Sequence, residues 1–214
     1  MKNTLLLYSN TKTKTKEIEL SKYLAQVLTG QLLGDANCSR SSPTSNTRIT
    51  WSFGLKYEAY SEYIADLFKG YGNTGIYYVK SGIRLKTLSS SVFNEYYNMF
   101  YILCSETEKM KKIVPKNIMR LMTPITLAHL IMGDGNYDKG RNRVRIYTNS
   151  FSLEDCELLA RSIKNMGIEV NVMKDKLGSK GQQYILTIGA KQLPLLQKLI
   201  SPYMHESMLY RIGL

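Results

Sequence analysis

Cysteine is scarce in this chain of 214 residues: Cys38, Cys104 and Cys156 make an odd number, and no two stand at CxxC spacing. That excludes a disulfide framework, argues against a zinc ribbon and fits a reducing compartment best. Histidine is scarcer still. His129 and His205 are the two present and neither stands in a ligand cluster, which disfavours a zinc nuclease. No segment approaches the long uncharged apolar run of a membrane span, so no membrane partner is expected. The opening MKNTLLLYSNTKTK has a short apolar run but no small-residue cleavage site, so no signal peptide is expected either. Acidic residues are also in deficit: 17 Asp and Glu face 29 Lys and Arg, a formal charge of +12.

Hydrophobic residues, by contrast, make up 43% of the chain, too many for a disordered polymer. The length suits one large domain or two small ones with a proper core. A cationic surplus of this size attracts polyanions, and the commonest of those inside cells is nucleic acid.

Residues 1–15 are polar, alternate Thr with Lys and read as a loose basic arm. From Glu17 the apolar residues Ile18, Leu20, Tyr23, Leu24, Val27, Leu28 and Leu32 recur at helical spacing, as far as Gly34-Asp35. Asn37 to Thr47 reads as a hairpin tip or loop, RITWSFGL as a strand and Glu58 to Phe68 as a helix. Strands at GIYYVK and GIRLKTL are joined by Ser81-Gly82, and Val92 to Leu103 reads as a helix. The second part repeats the order. A helix opens at Pro124 and ends near Gly133-Asp134, a basic tip NYDKGRNR leads into the strand VRIYTNSF, and Ser152 and Asp155 cap a helix from Leu153 to Met166. Strands IEVNVMKD and QYILTIG flank the tip KLGSKG, and a helix follows from Leu193 to Ile200.

The repeat has a fixed offset. Asp35 and Asp134 each follow a glycine at the end of an apolar helix, 99 residues apart. Lys112 lies 77 residues beyond the first aspartate and Arg211 lies 77 beyond the second. A helix C-terminus carries unpaired carbonyls and the negative end of the macrodipole, so a carboxylate is badly placed there, and two side by side are worse placed. A divalent cation reverses that sign, because carboxylates and free carbonyls are the ligands Mg²⁺ prefers. On nucleic acid, such metals activate water and stabilise the leaving oxygen of a phosphodiester. Gly30 and Gly34 in LTGQLLGDA, and Ala128 and Gly133 in LAHLIMGDG, thin the helix faces so that the two backbones can approach.

These two segments resemble the paired motifs of the LAGLIDADG homing endonucleases, most closely the single-chain, two-motif type of organellar introns. LAHLIMGDG matches the family's nine-letter motif at Leu127, Ala128, Leu130, Ile131, Asp134 and Gly135; LTGQLLGDA keeps Leu28, Gly30 and Asp35. The resemblance runs from about Tyr23 to Arg211. It implies an α+β fold of two pseudo-symmetric αββαββα halves, residues 16–115 and 116–214, whose antiparallel sheets form a DNA-binding saddle around two central packed helices. It implies a monomeric, site-specific endonuclease that cuts both strands of a long target and leaves 3′ overhangs. Mg²⁺ is the implied cofactor, Mn²⁺ substitutes, and Ca²⁺ binds without supporting cleavage. The implied location is organellar, the mitochondrion first. The alternative is a maturase that binds intron RNA and assists splicing.

Residue by residue, the resemblance assigns Asp35 and Asp134 to the metal, with the carbonyls of Gly34 and Gly133, and Lys112 and Arg211 to the basic catalytic pocket. Asn149 falls where members carry a further polar residue of the pocket, whereas its counterpart in the first half is Gly54. His129 replaces a motif glycine and is expected to widen the helix contact. For DNA the strand and tip cations are expected: Arg40, Arg48, Lys56, Lys80, Arg84 and Lys86 in the first half, and Arg141, Arg143, Arg145, Lys174, Lys176 and Lys180 in the second. Strand alternation is expected to set Arg141, Arg143 and Arg145 on one face.

Overall fold

A computed structural model describes residues 19–71, 76–105, 107–178 and 181–214. The basic arm, Ile18 of the expected opening helix and Lys180 lie outside the described residues, and Leu20 precedes the helix. Helix α1 spans Lys22–Leu33 and opens at Ser21, whose hydroxyl accepts the Leu24 amide at 3.2 Å. Strands β1 (Asn37–Ser39) and β2 (Arg48–Phe53), helix α2 (Glu58–Leu67), strands β3 (Tyr77–Val79) and β4 (Gly82–Lys86) and helix α3 (Asn94–Phe100) follow. A hairpin of β5 (Tyr101–Cys104) and β6 (Lys109–Lys112) and a short α4 (Ile118–Leu121) then lead to α5 (Pro124–Asp134). The second half adds β7 (Gly135–Asp138), β8 (Arg143–Tyr147), α6 (Leu153–Lys164), β9 (Asn171–Gly178), β10 (Gly181–Ile188) and α7 (Leu193–Ile200).

Each half is therefore an αββαββα unit, and the two sheets have the same antiparallel order, β1-β2-β4-β3 and β7-β8-β10-β9. In α6 the buried Cys156, Leu159, Ala160 and Ile163 form one face over the sheet, and Ser152 and Asp155 close the expected capping box. The motif helices are different. Val27 to Leu33 of α1 and Thr126 to Met132 of α5 are buried without interruption. A helix buried on all sides packs on more than one neighbour: these two pack on each other, α5 also lies against β7 and β8, and Gln31 of α1 accepts from Trp51 of β2.

Two expectations fail between the halves. The helix read over Val92 to Leu103 stops at Phe100, because Tyr101 to Cys104 pair with Lys109 to Lys112 as an antiparallel ribbon. Tyr101 is held there by stacking on Tyr97, with ring centroids 5.1 Å apart, and by accepting the Cys38 amide at 3.0 Å. His129, expected to widen the helix contact, is fully buried and is accommodated by Gly30. A Cβ on Gly30 would stand 2.7 Å from the His129 Cβ and collide with the Thr126 carbonyl. The imidazole is held by Gln31, whose Nε2 donates to His129 Nδ1 at 3.2 Å and to the Tyr60 hydroxyl at 2.8 Å. The Gln31 Oε1 accepts the Trp51 indole N–H at 3.0 Å. Burial lowers the His129 pKa to about 3, so the ring is neutral at the interface.

Gly30→Ala is expected to destabilise the protein by about 3 kcal/mol in denaturant unfolding, because neither the Thr126 carbonyl nor the His129 Cβ can give way. Gly70→Ala, where a Cβ meets nothing within 4 Å, serves as the control and should change stability by less than about 1 kcal/mol.

Candidate active site and nucleic-acid interface

The small residues at the ends of α1 and α5 bring the two chain segments together. A Cβ on Gly34 would stand 3.5 Å from an Asp134 carboxylate oxygen and 3.7 Å from the Gly133 Cα. The reciprocal holds: a Cβ on Gly133 would lie 3.5 Å from both the Asp35 amide nitrogen and an Asp35 carboxylate oxygen. Each aspartate thus crosses onto the glycine of the other helix, and the crossing respects the 99-residue offset.

Burial raises the Asp35 pKa, opposed by the positive charges of Arg211 and Lys112. Asp134 is pushed up to about 7, first by burial and then by the charge of Asp35, with Lys112 and Arg211 opposing. Lys112 is drawn down to about 8 by burial, against the pull of Asp134, Cys38 and Asp35. The two cations do not close onto the carboxylates. Lys112 Nζ donates to the carbonyls of Gly34 at 2.9 Å and Ala36 at 2.8 Å. Arg211 donates through Nη1 to the Gly135 carbonyl and through Nη2 to the Tyr57 hydroxyl at 3.1 Å. Ala36 and Gly135 are themselves 99 residues apart, so lysine and arginine brace equivalent carbonyls. Among the described residues no ion pair joins either cation to Asp35 or Asp134.

The donor set is two carboxylates with neighbouring backbone carbonyls, and no cluster of three or more His, Cys, Asp or Glu side chains occurs among the described residues. That fits a hard cation which keeps several waters and takes phosphate oxygens, as Mg²⁺ does, and does not fit zinc. The Gly34 carbonyl has two lone pairs and can serve the Lys112 ammonium and a cation together.

Of the expected DNA contacts, Arg84 and Lys86 are exposed on the outer face of the first sheet, and the half-buried Arg48 shares that face. Arg143 and Arg145 occupy the equivalent face of the second. Lys56 and Lys80 are exposed beside the first sheet, with Lys56 Nζ 4.8 Å from the centroid of the Tyr57 ring. Arg141 leaves the expected trio: it lies in a 3-10 turn, and Asn142, at φ 47°, breaks the alternation before β8 begins. Lys174 is exposed but pairs with Tyr184, which puts it on the Leu186 face of the second sheet rather than on the Arg145 face; Lys176 is also exposed. Arg40 is tied into the fold: its guanidinium sits 4.2 Å from the Tyr97 ring centroid and donates to Thr47 Oγ1 at 2.9 Å and to the Asn94 carbonyl at 3.2 Å. Asn149 Nδ2 donates to Gln183 at 2.8 Å and Asp175 at 3.2 Å, while its buried Oδ1 has no hydrogen-bond partner. Two site residues escaped sequence reasoning. Tyr57 meets Arg211 across 154 positions, and Tyr101 anchors the ribbon that delivers Lys112; neither spacing carries a local signal.

The LAGLIDADG DNA endonuclease family model matches residues 25–196, from within α1 to within α7. The chain belongs to that family. The cytochrome b mRNA maturase bI2 of Saccharomyces cerevisiae is 26% identical over 208 residues, 91% of this chain and 48% of that protein, so the chain spans about half the length of this relative. The homing endonuclease I-WcaI, in a structure bound to its DNA recognition sequence, shares the fold with a TM-score of 0.75 at 24% identity, over 96% of this chain and 94% of that one. I-DmoI in complex with DNA and Mn gives 0.55 at 17% identity, over 83% of this chain and 96% of that one.

The raised Asp134 pKa has a sign for stability. The folded state holds the proton more tightly than the unfolded chain does. This group's contribution is therefore complete below the ordinary carboxylate range and lost as pH rises through about 7. In chelator, Asp134→Asn should raise the thermal midpoint at pH 8 by roughly 4–8 °C, equivalent to about 2 kcal/mol. The gain should shrink towards pH 4, which differential scanning fluorimetry across that range would check.

Proposed function

We propose that this protein is a site-specific, divalent-metal-dependent homing endonuclease that cuts both strands of a long duplex target and leaves 3′ overhangs. The observation that carries this is the crossing of Asp35 and Asp134 at the joined ends of α1 and α5, with no cation of the chain paired to either carboxylate among the described residues. Asp35, Asp134 and the carbonyls of Gly34 and Gly133 would hold Mg²⁺, with Mn²⁺ as a working substitute and Ca²⁺ as a ligand that does not support cleavage. The ion supplies an activated water and charge stabilisation at the leaving oxygen.

The chain's own residues do the rest. Lys112 and Arg211 hold the segments after each aspartate through the Ala36 and Gly135 carbonyls, and both present positive charge where phosphates would lie. A lysine drawn down to about 8 can exchange a proton with water near neutral pH. Arg48, Arg84 and Lys86 on one sheet, and Arg143 and Arg145 on the other, would enter the major groove, where alternate strand residues reach base edges. Lys56, Lys80, Arg141 and Lys176 would meet phosphate, and Lys174, on the opposite face, would not. With both halves in one chain, the monomer suffices for both cuts, and the mitochondrion is the proposed location.

A second reading is favoured by one observation: the maturase bI2 aligns with 91% of this chain. On that reading the basic surface binds intron RNA and assists splicing, and cleavage is residual or lost. The two readings differ in their need for the aspartates.

Asp35→Asn and Asp134→Asn should each lower double-strand cleavage in Mg²⁺ by at least about 10³-fold while leaving duplex affinity within a few-fold. This is checked on sites selected from a randomised DNA library, and undiminished cutting would overturn the metal assignment. Affinity for duplex should also fall steeply between 50 and 200 mM salt, by roughly 10³-fold or more if six or more phosphates are contacted. A flat response in a filter-binding titration would contradict the proposed saddle.

A further inference from the structure

The outer face of the second sheet holds an acid where a nucleic-acid surface has no obvious use for one. Asp138, at the end of β7, lies directly across the ladder from Arg143. Its Oδ2 accepts from Arg143 Nε at 2.9 Å and from Arg145 Nη2 at 2.6 Å, and the three side chains are between 18% and 27% exposed. The hydrogen bond from Arg143, with the hydrogen bond and charge of Arg145, outweighs desolvation and holds the Asp138 carboxyl below its ordinary range. A carboxylate here cancels one of two positive charges and repels any phosphate that approaches. For an interface that needed only charge, Asp138 would be a defect.

We infer that Asp138 is a positioning residue for sequence readout: it locks the Arg143 and Arg145 guanidiniums over the second sheet so that Arg143 meets a guanine edge end-on. This rests on the DNA-binding reading above. Arg143 is gripped through Nε, which leaves its two terminal amino groups as a parallel pair of donors, the pattern that matches guanine O6 and N7. An arginine already held in one orientation gives up less rotamer entropy on contact with a base than a mobile one does. Beside it, Arg145 Nε is buried without a partner. Thr187, opposite Arg145 in the ladder and only 7% exposed, has an unpartnered Oγ1. Two unpaired polar atoms on adjacent strands thus lie beside the clamp.

The first sheet lacks the device. Ser39, 99 residues before Asp138, pairs with Arg48 in the same register, so no carboxylate stands at that place. Readout at the matching position of the other half-site should be correspondingly looser.

The test uses the full chain with Ca²⁺ and compares bound duplexes selected from a randomised library by the wild type, Asp138→Asn and Arg143→Ala. Asp138→Asn should lose about tenfold of base preference at the same base pair that Arg143→Ala relaxes, with other positions unchanged. Its affinity for random duplex should rise a few-fold, because a negative charge is gone. An unchanged preference profile would overturn the inference while leaving the DNA-binding reading intact. A uniform loss at all positions with a lowered thermal midpoint would also overturn it, since Asp138 would then merely support the strand. Failure of the wild type to enrich any site would overturn both.

Discussion

The close approach of α1 and α5 governs everything else in this molecule. Gly30 lies against the Thr126 carbonyl and the His129 Cβ, a separation no other residue allows without displacement of backbone. With that contact made, the ends of the two helices fall level, and Asp35 and Asp134 cross onto Gly133 and Gly34. The same contact joins the halves, because each helix also carries its own sheet. A shift of one helix along the other would separate the carboxylates and misalign the two sheets together.

That junction is electrostatically strained. Two half-buried carboxylates stand together at the negative ends of two helices, and burial raises both pKa values. Lys112 and Arg211 could relieve this by closing onto the aspartates. Instead they brace the carbonyls of Ala36 and Gly135, so the carboxylate charge is moderated at a distance and stays available to a cation. Stability surrendered at a site in this way is the usual mark of function. Nearby, the network of Trp51, Gln31, Tyr60 and His129 satisfies nearly all of its polar atoms, His129 Nε2 excepted, and gives the interface a unique register.

The two sheets repeat each other in strand order but not in surface chemistry. The second carries a carboxylate-clamped pair of arginines, while the first carries Arg48 opposite Ser39. The halves share one frame and differ at their outward positions. Arg40 shows the other side of the same freedom: a cation on the β1–β2 loop has been taken into packing by Tyr97, Thr47 and Asn94.

Much of this was legible along the chain. The 99-residue offset between the aspartates, the matched Lys112 and Arg211, the capped amphipathic α6 and the glycines of both motifs are all local or periodic signals, and they were enough for the family, the αββαββα plan and the choice of metal ligands to propose. The hairpin of β5 and β6 is not legible along the chain because Tyr101 to Cys104 continue the apolar pattern of α3, and only pairing with Lys109 to Lys112 makes them a strand. Arg141 departs from the strand face because the left-handed turn at Asn142 lies in the middle of an otherwise alternating run. The sequence by itself determined which residues carry charge, where the helices end and that the unit occurs twice, since these follow from residue type and spacing. Tertiary structure alone decided which cations face outward, that Tyr57 reaches Arg211, that Gly30 makes room for His129 and that Asp138 grips two arginines. Those contacts join positions whose separation along the chain bears no relation to their distance in space.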